Sequence, residues 1–327
     1  MIARRKLLLA LATGALAAPL ASLAQQQGKV WRIGFLGAAS ISSWASRIEA
    51  LRAGLRDLGY VEGRNFVIDF RWAEGKYDRL PDLAAELVRL KVDVLVTHGT
   101  PGSRAAKQAT TAIPVVMVLV GDPVATGLVA SLARPGGNIT GSTFFNRELA
   151  AKRVELVKEC FPRIRRIALL VNLDNPTSGL SGQGIEPTAR SLNVELQQFG
   201  VRGPKDLESI FAAMARDRIE AVAVEEEGML NSNLRPIADL AMKQRLLSTG
   251  PTLFAGVGGL MGYGIDNPEL YRRAAYFVDK ILKGAKPADL PIERPTRFEL
   301  VVNMKTAKTL GLTIPQPFFM RADRVIE

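Results

Sequence analysis

The sequence of 327 residues has few of the side chains from which catalytic and metal sites are usually built. It contains one cysteine, Cys160, and one histidine, His98. A single cysteine excludes an internal disulfide bond and any metal site made of several cysteines. Neither the H-E-x-x-H pattern of zinc peptidases nor a calcium-loop pattern occurs. We therefore expect no metal ion and no cofactor, and any histidine-based acid–base chemistry would have to use His98.

Three further motifs of enzymes are missing. The first predicted strand is not followed by the G-x-G-x-x-G sequence that binds a dinucleotide, and the glycine-rich residues 256–264 lack the G-K-[ST] ending of a P-loop. Ser181 does not lie in a G-x-S-x-G elbow, because the second glycine comes one residue too early. The sequence thus predicts a protein without catalytic activity. An exported hydrolase that uses Ser181 or His98 is the alternative.

The composition is that of a folded protein, with 47% hydrophobic and 23% charged residues. The formal net charge is +11, but lysines and arginines are scattered among acidic residues and form no basic and aromatic cluster. Nucleic acid is therefore not expected as a partner. A chain of this length exceeds what a single hydrophobic core usually supports, which favours two domains.

The N-terminus carries the pattern of a secretory signal peptide. Arg4, Arg5 and Lys6 precede an apolar run at residues 7–20, and the small-x-small sequence 22–24 predicts cleavage before Gln25. The apolar run is shorter than the ~20 residues that a membrane-spanning helix needs. The paired arginines also fit a twin-arginine export signal, so the route stays open. We predict that residues 1–24 are removed and that the mature protein is periplasmic.

Apolar strand-like runs alternate with segments of helical period along the rest of the chain, which predicts βαβ units and parallel sheets. The order seen in the first half recurs about 128 residues later, so the chain is predicted to form two similar α/β lobes. Three linkers are predicted to join them, near Phe145, in the glycine-rich stretch just after residues 254–255 and at the prolines of 287–295. The N-terminal lobe would comprise residues 25–144 and 265–295, and the C-terminal lobe residues 145–264 and 296–327.

Ligands of open α/β sheets bind beyond the carboxyl ends of the strands, so the loops that follow strands are the candidate site. Thr100–Pro101 looks like the N-cap and first turn of a helix, whose free N–H groups suit a carboxylate. Asp122 could pair with an ammonium group. Together the loops would suit a zwitterion such as an amino acid, and the predicted contact residues are Ser40, Ser42, Ser43, Trp44, Thr97, His98, Gly99, Thr100, Asp122, Pro123, Asn146, Asn172, Asp174, Asn175 and Glu225.

For these residues a structural role is the alternative. Serine, threonine, aspartate and asparagine after a strand commonly cap the next helix. Trp44 could either pack the first helix or stack on an apolar part of the ligand. Glu225, Glu226 and Glu227 indicate either a cationic ligand or a solvated helix end.

The sequence resembles the ABC transporter substrate-binding proteins abundant in Gram-negative bacteria, which are related to periplasmic proteins for tryptophan and other aromatic amino acids. The resemblance runs over nearly the whole mature chain. The segments that carry it are residues 32–36 (RIGFL), 54–63 (GLRDLGYVEG), 77–81 (YDRLP), 121–124 (GDPV), 127–138 (GLVASLARPGGN) and 305–312 (KTAKTLGL). Residues 174–179 and 225–228 depart from the family pattern, so the ligand cannot be carried over.

This resemblance implies a type I periplasmic binding-protein fold, in which two lobes joined by three crossovers close on a solute. It also implies docking to an ABC permease in the inner membrane, and we expect the protein to act as a monomer. A sensor subunit that reports ligand occupancy to a membrane signalling partner is the second hypothesis.

Overall fold

The structure is a computed structural model that describes residues 29–144, 146–265 and 267–327. The predicted signal peptide and Phe145, at the predicted first linker, lie outside the described residues. In the part of the chain that is described, no helix is both long and apolar enough to cross a lipid bilayer. The same part contains no group of histidine, cysteine, aspartate and glutamate side chains that could hold a metal ion.

The first lobe is built on a sheet of five parallel strands in the order β2-β1-β3-β4-β5. These strands are β1 (Trp31–Gly37), β2 (Phe66–Trp72), β3 (Val94–His98), β4 (Val115–Val120) and β5 (Ile139–Thr143). The connecting helices are α1 (Ile41–Asp57), α2 (Leu80–Arg89) and α3 (Gly99–Ala109). β3 and β4 are buried along their whole length, as their uninterrupted apolar runs predict.

The second lobe is built on a sheet of seven strands in the order β12-β11-β10-β9-β8-β6-β7. Its strands are β6 (Arg166–Asn172), β7 (Glu195–Val201), β8 (Ala221–Val224), β9 (Leu247–Gly250), β10 (Met261–Gly264), β11 (Glu299–Asn303) and β12 (Arg324–Ile326). All neighbours are parallel except β10 and β11.

Nine helices of this chain remain to be named among the described residues. They are α4 (Asn146–Cys160), α5 (Ser178–Ser191), α6 (Leu207–Arg216), α7 (Gly228–Ser232), α8 (Leu234–Lys243), α9 (Thr252–Gly256), α10 (Asn267–Leu282), α11 (Met304–Leu310) and α12 (Gln316–Phe319). Short 3₁₀ turns precede α2 and α6 at Tyr77–Arg79 and Pro204–Asp206, and a third lies at Pro287–Asp289.

The chain passes between the two sheets three times. It leaves the first sheet after β5, returns after β10, and leaves again before β11. On its return, α10 packs against α1 through Tyr271, Ala274 and Ala275. The backbone of Glu293 then pairs with Gly141 and Thr143 at the edge of the first sheet. The chain therefore crosses between the sheets three times, as the predicted fold requires.

Each sheet carries an apolar core on both faces. In the first lobe one core contains Phe35, Leu51 and Tyr271, and the other contains Leu36, Leu87 and Met117. The second lobe repeats this arrangement with its own two clusters. Burial of both faces explains why the strands between them are almost entirely apolar.

Some local predictions differ from the structure. Helix α3 begins at Gly99 with His98 as its N-cap, so Thr100 lies within the first turn and is not the cap. The apolar spacing of residues 80–90 predicts a helix that opens at Asp78, but Asp78 lies in a 3₁₀ turn and α2 begins at Leu80. The glycine-rich residues 256–264 are predicted to provide backbone flexibility or tight packing, and residues 261–264 of this stretch form strand β10.

Candidate functional site

A cavity lies between the lobes, where the carboxyl ends of both sheets face each other. The first lobe contributes the segments after β1 and β3, and the second contributes the segments after β6 and β8. In each sheet these two strands are neighbours from which the chain continues in opposite directions. Such a topological switch point is where open α/β sheets bind their ligands. The cavity has a volume of about 40 Å³.

The cavity wall contains a buried cationic side chain, that of Arg47. It lies on α1, is 3% exposed, and donates from Nη1 to the carbonyl oxygen of Ser43 at 3.0 Å. Its Nε and Nη2 are buried and have no hydrogen-bond partner. Burial lowers the pKa of Arg47, while Tyr271 and Glu226 act in the opposite direction. An arginine keeps its charge in proteins, so this guanidinium offers two free donors to an anion.

Trp44 and His98 stack beside Arg47. The ring centroids of Trp44 and His98 are 4.5 Å apart, and the guanidinium carbon of Arg47 lies 4.2 Å from the Trp44 ring. Trp44 Nε1 donates to Tyr271 Oη at 2.7 Å. Both ring nitrogens of His98 are buried without a partner, and burial next to Arg47 lowers the His98 pKa to about 3. His98 is therefore neutral and can donate with one nitrogen and accept with the other.

Glu226 faces Arg47 from the second lobe. Its carboxylate accepts from Nη2 of Arg153 at 2.9 Å, and both side chains are almost fully buried. Arg153 also donates to the carbonyl oxygens of Tyr263 at 2.8 Å and Val224 at 3.3 Å. Burial lowers the pKa of Arg153, and the charge of Glu226 opposes that shift. The pair holds the Glu226 carboxylate at the cavity.

Glu227 caps α7 and joins the lobes. Its carboxylate accepts from the backbone N–H groups of Met229 and Leu230 and from Nδ2 of Asn172, at 2.9–3.0 Å. Tyr77 of the first lobe donates its hydroxyl to the same carboxylate. Burial and the neighbouring charge of Glu227 raise the pKa of Tyr77 well above its usual value, so the hydroxyl stays protonated.

Two asparagines complete the second-lobe wall. Asn175 accepts from the backbone N–H of Thr177 at 3.1 Å and from its hydroxyl at 2.8 Å, which fixes the loop after β6. Asn231 donates from Nδ2 to Glu226 at 3.4 Å, while its Oδ1 is buried without a hydrogen-bond partner. Asn231 Oδ1 therefore offers an acceptor opposite the donors of Arg47.

Five of the predicted contact residues line this cavity. They are Trp44, His98, Gly99, Thr100 and Asn175. Ser43 lies at its margin, where its hydroxyl is 3.1 Å from that of Ser232 in the second lobe, and Ser40 contacts Ser43 at 2.9 Å. The side chains of Ser42 and Asn146 lie outside the described part of the structure, as does that of Ser181.

The other predicted contact residues do not line the cavity, and each has a different role. Thr97 donates to the carbonyl oxygen of Leu36 at 3.0 Å within the first sheet, and Asn172 supports Glu227. Asp122 lies 3.4 Å from Arg147 and accepts from the N–H of Ala125, with Pro123 buried in the same turn. Asp174 pairs with Arg202 at the surface, and Glu225 is fully buried near Arg153.

Burial bears on two of the alternatives. Glu225, Glu226 and Glu227 are between 0% and 6% exposed, so they are not a solvated helix end. The ring of Trp44 stacks on His98 and lies beside the guanidinium of Arg47, so it packs within the first lobe, and it also lines the cavity.

Arg47, Tyr77 and Asn231 line the cavity but were not predicted as contact residues, whereas Glu226 was considered only as one of three glutamates that would suit a cationic ligand. Arg47 lies almost two turns inside α1, and Asn231 lies inside α7, whereas contacts were predicted only in the loops that follow strands. A signal for Arg47 was present, since it lies three residues after Trp44 on the same helix and shares its buried face.

Comparison with known proteins agrees with this architecture. The model of the family of ABC transporter substrate-binding proteins matches residues 38–326. A tyrosine-binding protein of Clostridioides difficile (strain R20291) is 27% identical over 259 residues, which are 79% of this chain and 74% of the relative.

Two crystal structures share the fold over nearly the whole chain. An ABC domain from Streptococcus pneumonia in complex with L-Trp is 28% identical, with a TM-score of 0.82, and the match covers 90% of this chain and all of the other. A conserved domain protein from Vibrio cholerae O1 biovar eltor str. n16961 is 26% identical, with a TM-score of 0.86, covering 91% of this chain and all of the other. The predicted two-lobed, type I fold is thus confirmed.

Proposed function

Because the chain belongs to the family of ABC transporter substrate-binding proteins, we propose that it captures an amino acid between its lobes and delivers it to a membrane permease. The protein is a solute-binding component of an ABC transporter. That its solute is an amino acid is the proposal. Two relatives support that assignment, since one is named a tyrosine-binding protein and the other was solved with L-Trp.

The observation that carries the proposal is a set of buried polar atoms without hydrogen-bond partners, contributed by both lobes to one cavity. The first lobe supplies Arg47 and His98, and the second supplies Asn231 Oδ1. A buried polar group without a partner costs about 1–3 kcal/mol. A ligand that carries a carboxylate and an ammonium group would satisfy donors and acceptors together.

Capture is expected to proceed by closure of the lobes. Tyr77–Glu227 and Ser43–Ser232 are contacts that form only when the lobes approach each other. Since the free groups lie on opposite lobes, the ligand bridges them and favours the closed form. No chemical step is required of the protein.

The remaining parts of the proposal rest on the sequence. We propose removal of residues 1–24, action of the mature monomer in the periplasm, and docking to an inner-membrane ABC permease. Residues 25–144 with 265–295 and residues 145–264 with 296–327 would be the two lobes that close.

A thermal-shift screen of residues 25–327 tests the ligand class. A ligand that binds only the folded protein, present at 100 times its dissociation constant, adds about 2.7 kcal/mol to the free energy of unfolding. We expect stabilisation by at least one amino acid, and none by sugars or nucleosides. Stabilisation by a sugar or nucleoside alone would contradict the proposal, and Arg52→Met, a change at an outer position of α1, serves as the control for nonspecific effects.

A further inference from the structure

Trp44 is a large, buried aromatic residue in the wall of the cavity. Its ring is 2% exposed and contacts both His98 and the guanidinium of Arg47. The hydrogen bond from Nε1 to Tyr271 fixes the ring edge as well. Trp44 is therefore held in place at three points and cannot turn aside without breaking all of them.

The space that remains beside Trp44 is small. The cavity volume is about 40 Å³. Since about 10–15 Å³ of such a volume holds one water molecule, the cavity has room for about three waters. An indole or phenol side chain is much larger than that. The bulkiest of the side chains that line the cavity is the indole of Trp44.

The groups that border this space define the charges of its ligand. Arg47 presents Nε and Nη2, a fork that suits the two oxygens of a carboxylate. Across the cavity, Asn231 Oδ1 lacks a donor and the Glu226 carboxylate lies next to it. These two acceptors suit an ammonium group. Both charged ends of a zwitterion thus have partners, while little space is left for a side chain.

We propose that the cleft selects an amino acid with a small side chain, anchored by its carboxylate on Arg47, and that Trp44 excludes aromatic amino acids. This inference rests on the proposed function and specifies its ligand. It separates this chain from the relatives associated with tyrosine and tryptophan, to which it is otherwise similar. Trp44 is then a specificity-determining residue that acts through volume, and Arg47 acts through charge.

Isothermal titration calorimetry with glycine, L-alanine, L-serine, L-tyrosine and L-tryptophan tests the size limit on the unaltered protein. We expect at least one of the three small amino acids to bind about a hundredfold more tightly than either aromatic one. The experiment needs no variant, so a folding defect cannot obscure it. Tighter binding of L-tyrosine or L-tryptophan would overturn the inference and leave the proposed function standing. Binding of no amino acid would overturn both.

Enlarging the cavity tests the role of Trp44 directly. Trp44→Ala and the better-packed Trp44→Leu are expected to raise the affinity for L-tryptophan at least tenfold, because the indole of the ligand can enter the vacated volume. Circular dichroism identifies which of the two variants is folded, and the folded one is titrated. Trp72→Leu, at the far edge of the first sheet, is the matched control and should leave the ligand preference unchanged. An unchanged preference in a folded Trp44 variant would contradict the inference.

The carboxylate anchor has its own test. L-alanine and L-alaninamide differ in the group that would face Arg47, which is a carboxylate in the first and a neutral amide in the second. We expect the amide to bind at least a hundredfold more weakly, and Arg47→Met to remove that difference, whereas Arg52→Met on the same helix should keep it. Equal binding of acid and amide to the unaltered protein would overturn the anchor.

Discussion

The hydroxyl group of Tyr77 in the first lobe donates a hydrogen bond to the carboxylate of Glu227 in the second lobe. The residues are 150 positions apart in sequence, and the same hydroxyl accepts from the backbone N–H of Met229 at 3.1 Å. Tyr77 also packs against the apolar clusters of both lobes. One side chain thus connects the lobes at the wall of the cavity between them.

Loss of this hydroxyl is expected to weaken ligand binding without unfolding either lobe. In Tyr77→Phe the Glu227 carboxylate still accepts hydrogen bonds from Asn172 and from two backbone N–H groups. The substitution therefore destabilises only the closed form, in which the two lobes are in contact. Hydrogen bonds to charged groups contribute about 1.5–3 kcal/mol. The lower end of that range corresponds to about a tenfold weaker affinity by calorimetry. Tyr276→Phe, on the outer side of α10, is the control. Equal affinities of Tyr77→Phe and the unaltered protein would show that the contact does not contribute to closure.

Gly228 lies where the lobes approach most closely. A Cβ atom at this position would lie 3.1 Å from Tyr77 Oη and 3.5 Å from His98 Nε2, both in the opposite lobe. Gly228→Ala is therefore expected to hinder closure and to weaken binding about five- to tenfold, since the neighbouring atoms must shift.

A glycine without such neighbours provides the comparison for Gly228. A Cβ at Gly256 would have no atom within 4 Å, so Gly256→Ala should leave affinity unchanged. Small-angle X-ray scattering with saturating ligand should show a more open Gly228→Ala protein. Full closure and unchanged affinity of that variant would contradict the expectation.

The sequence predicts most of the fold because burial on both faces leaves a local signature. The apolar runs at β3, β4 and β6 and the helical spacing of α1 each lie within a few consecutive residues. β10 and β12 escaped prediction because their sequences, MGYG and RVI, are short and have no such pattern. They form strands because β9 and β11 offer unpaired backbone edges, a condition that depends on tertiary structure.

The sequence predicts a lining residue of the cavity only where that residue lies in a loop directly after a strand. His98 and Asn175 follow strands, and the rule of the carboxyl ends places them at the cavity. The polarity of a loop, however, does not distinguish Asp122, which pairs with Arg147, from a residue that faces the ligand. The burial of Glu226 depends on Arg153, 73 residues earlier on α4. No local sequence pattern predicts an ion pair between residues so far apart in the chain.

The pair of Arg153 and Glu226 yields a prediction for stability. Arg153→Met leaves the Glu226 carboxylate buried without its cation and two carbonyl oxygens without their donor. Breaking a buried ion pair from one side typically costs about 3–5 kcal/mol. Urea denaturation should show a loss of that size. The neighbouring Lys152 pairs with Glu155 while both are 40% exposed, so Lys152→Met should change stability by no more than about 0.5 kcal/mol. Equal effects of the two substitutions would contradict the assigned role.

Stability is also expected to depend on pH through His98. Burial next to Arg47 lowers the pKa of His98 in the folded protein to about 3, whereas the unfolded chain has the usual value near 6.5. Between these values the unfolded chain binds a proton that the folded protein does not. The stabilising contribution is therefore complete above pH 6.5 and declines as the pH falls toward 3, by up to about 1.4 kcal/mol per pH unit.

Urea denaturation of the unaltered protein and of His98→Gln between pH 4 and pH 7 isolates this effect, because all other titrating groups are shared. The difference between their free energies of unfolding should change with that slope below pH 6. A constant difference across the range would mean that His98 has the same pKa in the folded and the unfolded protein, and would contradict the expectation.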